Sequence, residues 1–197
     1  MNSTIILKGN ILYTPNPSAL VSIQQGYVIA VDGVVVHCGE SIPTVYTEYD
    51  VVDYGDNLII PGFVDTHAHA PQYCNRGLGM DKELLPWLET YTFPEEAKFS
   101  DPDYARLVYG AFVQDLWRNG TTRSILFGTI HKESTLVLME LLQKAGLSAY
   151  VGKVNMDRNS PEFLIEETNQ SLADTKVWLD TSAQFGPLVK PIITPRF

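Results

Sequence analysis

The apolar run Leu58-Ile59-Ile60-Pro61-Gly62-Phe63-Val64, passing directly into Asp65-Thr66-His67-Ala68-His69, constrains this chain more than any other stretch. Such a run fits a parallel strand buried on both faces, and parallel strands need helical crossovers between them. The downstream sequence meets that demand. Asp101-Pro102 sets a capping carboxylate before a proline at the first helical position, opening a helix through Tyr104, Leu107, Val108, Ala111, Phe112 and Leu116 to Gly120, with those residues as its apolar face. Next come a strand at 124–127, a helix around 136–144 stopped by Gly146, and a strand at 149–154. A helix over about 165–183, the breaker Gly186-Pro187 and a strand at 191–194 complete the series.

Four strands alternating with helices, without GxGxxG or GxxxxGK[ST], favour parallel βα repeats of the barrel type over a nucleotide-binding sheet. Residues 1–60 read differently, as short strands at 4–7, 27–31, 34–38 and 51–54, with Asp32-Gly33 as a two-residue hairpin signal. The fold class is thus α/β: a small β module over 1–60, then the first half of a (β/α)8 barrel over 61–197. A complete barrel takes roughly 250 residues, so these units amount to about half. Open strand edges are normally covered, so the other half is expected in a parent protein or on another chain.

With 14 basic against 23 acidic side chains, a net charge of −9 and no Lys/Arg run, the sequence argues against broad contact with a phosphate backbone. No apolar run approaches a membrane span and no leader is visible, so the expectation is a cytoplasmic protein with no membrane and no nucleic-acid partner. Cys38 and Cys74 lack CxxC spacing and read as buried free thiols.

On an extended strand side chains alternate, so His67 and His69 share a face, with Asp65 below them at the same period. Two imidazoles on one face can grip one metal ion; two histidines that merely fall near a strand end are the alternative. At the end of an apolar strand they would lie at the C-terminal mouth of a barrel, where such folds place catalysis. Asp65 reads as a hydrogen-bonding residue that orients the loop or a ligand ring. His131 reads as a helix-start contact, and His37, in the β module, stands outside the chemistry.

The string from Pro61 to Gln72 resembles the first-strand signature of the amidohydrolase superfamily. The run Trp87-Leu88-Glu89-Thr90-Tyr91-Thr92-Phe93-Pro94-Glu95-Glu96, the run Gly152-Lys153-Val154-Asn155-Met156-Asp157 and the terminal Pro195-Arg196-Phe197 are similar to its guanine deaminase family, in the same order. The resemblance implies the N-terminal part of a metal-dependent barrel, the leading module being part of a β-sandwich. It implies one Zn2+ per intact subunit, with His67 and His69 among its ligands. A carboxylated lysine for a second metal is not expected, because the fourth strand ends on Thr194-Pro195-Arg196-Phe197 with Lys190 at its other end.

By the same resemblance, a water activated by zinc attacks carbon 2 of guanine, ammonia leaves and xanthine forms. Zinc suits this because it brings the pKa of water down to about 7 without redox chemistry. Gln72 matches the position whose amide meets the purine edge, where a donor and an acceptor can serve O6 and N1–H together. Arg196 and Phe197 match the arginine-phenylalanine pair that donates to O6 and N7 and packs on the purine face. The family's remaining metal ligands and its proton-shuttling glutamate would all lie beyond Phe197. The catalytic acid-base is therefore unassigned, the chain alone is expected to be inactive, and the intact protein is expected to be a homodimer.

Two rivals stand beside this expectation. One is an aminohydrolase of the same superfamily acting on an adenosine-type or triazine ring; the other is a noncatalytic half-barrel assembly module. A cytidine-deaminase fold would need a PCxxC that two separated cysteines do not supply.

Overall fold

Residues 3–196 are described by a computed structural model, and the chain divides between Pro61 and Gly62 into two units. In the first, β1 (Thr4–Asn16), β2 (Ala19–Val31), β3 (Val34–Gly39) and β4 (Val51–Ile59) form one sheet in the order β3-β2-β1-β4. β1 runs antiparallel to β2 and parallel to β4. Asp32 and Gly33 turn β2 into β3 with φ of 50° and 79°, the paired positive values a tight hairpin requires.

β1 continues well past Leu7, where the sequence reading stops it. The register slips between Gly9 and Ile11, so the two-residue alternation is interrupted although the strand is not. Asn10 holds this bulge: its amide nitrogen donates to the Asp56 carbonyl at 3.0 Å and its oxygen accepts from the Gln25 N–H at 3.1 Å.

The second unit begins with β5 (Phe63–His69). A 3-10 turn over Ala70–Asn75 follows, then α1 (Leu84–Trp87), a π-helical turn over Leu88–Thr92 and α2 (Phe93–Ala97). After these come α3 (Pro102–Arg118), β6 (Thr121–Phe127), α4 (Lys132–Ala145), β7 (Ser148–Gly152), β8 (Val154–Asn155), α5 (Thr168–Ser182), β9 (Val189–Pro191) and β10 (Thr194–Pro195). β5, β6, β7 and β9 form a parallel sheet in that order. β8 and β10 form a short parallel pair of their own. The sheet is open, with β5 and β9 at its edges.

Leu126, Ala149 and Val151 from the strands pack with Tyr109 and Val113 of α3, Leu138 and Leu142 of α4 and Trp178 of α5. Asp101 caps α3 through its carboxylate, which accepts from the Asp103 N–H at 2.9 Å. Gly146 ends α4 at φ 70°, a left-handed position suited to glycine. Among the described residues no helix is long and apolar enough to cross a membrane.

Three expectations are corrected. The run 58–64 is not one buried strand: Leu58 and Ile59 end β4, Phe63 and Val64 open β5, and the latter two are exposed. Pro61 has no N–H for a ladder, and a Cβ at Gly62 would lie 2.2 Å from the Thr122 hydroxyl. On α3 the buried stripe is Ala105, Val108, Tyr109 and Val113, whereas Leu107 and Ala111 face solvent. Both cysteines are free thiols, but neither is buried; Cys38 is half-buried and Cys74 exposed.

Candidate functional site

β5 sets the first part of the site. Because its side chains alternate, the His67 and His69 rings meet edge to face with centroids 5.2 Å apart. Register pairs His69 with Phe127 at the end of β6. Phe127 supports both imidazoles, stacking on His69 at 4.5 Å and meeting His67 edge-on at 5.2 Å. His67 is exposed and His69 half-buried. Asp65 accepts from the His67 N–H at 3.0 Å, which fixes the backbone leading into the first ring.

Burial, followed by the positive charge of Arg196 and by His67, pushes the His69 pKa down to about 4. The ring is therefore neutral at physiological pH, the form that ligates metals. Its Nδ1 is buried and has no hydrogen-bond partner, and a buried imidazole nitrogen left unsatisfied is unfavourable unless something occupies it. These two rings fit a borderline-soft divalent ion such as Zn2+. They supply only part of a ligand set: among the described residues no group of three or more His, Cys, Asp or Glu side chains could hold a metal.

The 3-10 turn that continues from β5 carries Gln72, and Arg196 follows β10. Arg196 is placed by its backbone N–H, which donates to the Asn155 carbonyl at 3.1 Å. One carboxylate joins the two: Gln72 Nε2 donates to Glu96 Oε1 at 3.0 Å, and an Arg196 guanidinium nitrogen donates to Glu96 Oε2 at 2.6 Å. Both members of the ion pair are nearly enclosed, with side chains 10% and 5% exposed for arginine and glutamate. The guanidinium also lies 5.8 Å from the centroid of the Phe93 ring. Phe197 lies outside the described residues.

Glu96 closes the run Trp87–Glu96 and Phe127 the strand at 124–127, but the sequence gives neither a role in the site. Glu96 sits on a helical stripe with Leu88, Thr92 and Phe93, all buried. An acid at a buried position of a helical period is the signal that points to it. The π turn just before it widens the helix and blurs the period. Pro94 has no N–H to offer the Thr90 carbonyl, which gives the helix a reason to depart from regular α geometry there. Of the remaining histidines, His131 occupies the N-cap position of α4, and His37 contacts the Ser41 carbonyl at 2.9 Å.

A family model described as the Amidohydrolase family matches residues 58–194. The chain is 51% identical over 148 residues to a guanine deaminase of Dictyostelium discoideum, covering 75% of this chain and 33% of the relative. It is 38% identical over 183 residues to that of Escherichia coli K12, covering 91% of this chain and 41% of the relative. Among solved structures, guanine deaminase from C. acetobutylicum with bound guanine in the active site superposes with a TM-score of 0.93 at 48% identity, covering 99% of this chain and 46% of that one. The chain thus spans between a third and a half of the length of these relatives.

Proposed function

The chain belongs to the amidohydrolase family, and on that membership we propose that the intact protein hydrolyses guanine to xanthine and ammonia. In this reading the open parallel sheet is the first part of a (β/α)8 barrel, and the intact enzyme is a cytoplasmic homodimer with one Zn2+ per subunit. His67 and His69 hold the zinc together with ligands from outside these residues, Gln72 and Arg196 grip the purine, and Phe197 packs on its face. The 51% identity to a guanine deaminase and the likeness to a guanine-bound one support the substrate.

One observation carries the reading most directly. Arg196, at the far end of the chain, is held by the same carboxylate as Gln72, three residues past the histidine pair. A donor-rich guanidinium and an amide therefore share one wall beside two metal-competent imidazoles. Guanine presents O6 and N7 as acceptors and N1–H as a donor, which these groups complement.

Phe127 fixes the planes of both imidazoles, and burial keeps His69 unprotonated for ligation. Zinc bound there supplies Lewis acidity, lowering the pKa of water to about 7. Arg196 donates to O6, drawing electron density from the amidine and making carbon 2 more electrophilic. Gln72 orients the ring edge.

The test uses the intact, zinc-loaded protein. His67→Ala and His69→Ala should each lose stoichiometric zinc by elemental analysis, along with ammonia release from guanine. Arg196→Gln should keep its zinc while guanine kcat/KM falls about 100-fold, the scale expected when a polar group in a hydrogen-bonding site is lost. Full zinc retention in both alanine variants, or unchanged guanine turnover in Arg196→Gln, would overturn the reading. Ammonia release from an adenosine-type or triazine ring in place of guanine would transfer it to that substrate class.

A further inference from the structure

Resting on the guanine reading above, we infer that Glu96 is a positioning residue that sets which way round the Gln72 amide meets the purine and holds Arg196 in the same grip.

An ionised carboxylate has no proton to donate. Whatever part of Gln72 faces Glu96 must therefore be its NH2 end, and Nε2 lies 3.0 Å from Glu96 Oε1. The amide is planar, so fixing Nε2 turns Oε1 to the other side and fixes it as an acceptor. Without such a partner a glutamine amide can flip, presenting donor or acceptor with little preference. Guanine at that edge offers N–H donors, which an amide oxygen accepts and an amide nitrogen opposes. Glu96 thereby selects the orientation that can bind.

The other carboxylate oxygen takes an Arg196 nitrogen at 2.6 Å. A guanidinium carries five N–H donors in a rigid fork. Committing one nitrogen of that fork to Glu96 restricts how the guanidinium can swing, and the counter-charge offsets its burial. One side chain thus orients two substrate-binding groups that lie 24 residues before it and 100 residues after it.

Glu95 is the internal contrast. It is also buried, yet successive residues in a helix point about 100° apart around the axis. Its carboxylate is taken by Lys98 at 2.6 Å and by the Tyr104 hydroxyl. The Tyr104 bond ties α2 to α3, the Lys98 bond closes within the end of α2, and neither involves Gln72 or Arg196.

In the intact loaded enzyme, Glu96→Gln keeps an oxygen for Arg196 and turns an NH2 toward Gln72. The Gln72 amide must then flip and present its own NH2 to the purine. Guanine KM should rise at least tenfold with kcat within threefold, and the calorimetric Kd for xanthine, which is not turned over, should rise in parallel at unchanged zinc content. The double variant Glu96→Gln with Gln72→Glu restores a carboxylate that accepts from the new NH2 and presents an acceptor outward, and should recover most of that loss. A merely structural glutamate would not be rescued in this way. Glu95→Gln should leave guanine KM within twofold.

Wild-type affinity for guanine and xanthine in Glu96→Gln, a double variant no better than the single one, or an equal KM rise in Glu95→Gln would each overturn the inference. A wild-type enzyme that fails to deaminate guanine would instead overturn the underlying functional reading.

Discussion

A lysine ammonium with no exposed surface needs its counter-charge close by, and Lys153 has it. Its side chain is 0% exposed; Nζ donates to Glu166 at 2.7 Å and to the Val154 carbonyl at 3.0 Å. The other Glu166 oxygen accepts from the Met156 N–H at 2.9 Å, so one carboxylate stitches the segment after β7 to the residues before α5. Truncating the lysine leaves that carboxylate partly buried without a cation. Lys153→Ala should therefore destabilise the protein by about 3–5 kcal/mol, whereas the neutral pair Lys153→Met with Glu166→Gln should lose much less. Urea midpoints of the two variants check this, and equal losses would show that packing, not charge, governs the site. The sequence motif around Gly152 signalled that this stretch matters but said nothing of burial. Its partner lies 13 residues on, across a loop with no periodic pattern to place it.

Elements show where periodicity succeeds and where it slips. The Asp101 cap and the Gly146 stop were legible because each acts within one helical turn. The buried face of α3 is legible in part: Val108 is buried and Tyr104, Phe112 and Leu116 pack against the core, but aliphatic Leu107 draws weight that the structure gives to Ala105 and Tyr109. The helical run from α1 to α2 is not legible in the sequence because two prolines and a π turn break its period. Between elements, Lys132 of α4 meets Asp174 of α5 at 2.5 Å, with side chains 29% and 25% exposed. The hydrogen bond from Lys132 holds the Asp174 carboxyl below its ordinary value of 3.8. A depressed carboxyl stabilises the fold in full above the unfolded-state pKa, and that stability is lost as pH falls through the lower folded-state value. Asp174→Asn should accordingly weaken the protein at pH 7 by up to about 1 kcal/mol, as for a partly solvated pair. The gap to wild type should close as pH falls below about 4. Denaturant midpoints at the two pH values measure it; a gap that persists at the acid end would mean the carboxylate is not its source.

At the scale of the whole molecule, the histidine pair was legible because alternation along a strand is a local rule. The Glu96 clamp was not, because its partners come together only through the path of the sheet. On the proposed function, the same separation governs activity. A catalytic zinc site takes three protein ligands and leaves one position open, and the described residues gather no such set. Residues 1–197 by themselves should therefore bind zinc at least 100-fold more weakly than the intact enzyme and release no ammonia from guanine above background. Weak zinc binding that still requires His67 and His69 would fit a half-built centre, because two ligands give affinity without an acid-base partner for chemistry. Ammonia release by the 197-residue chain at a rate within tenfold of the intact enzyme would contradict this. If that rate per chain rose with protein concentration, the missing ligands would be coming from a second copy; if it did not, they would lie within the chain itself.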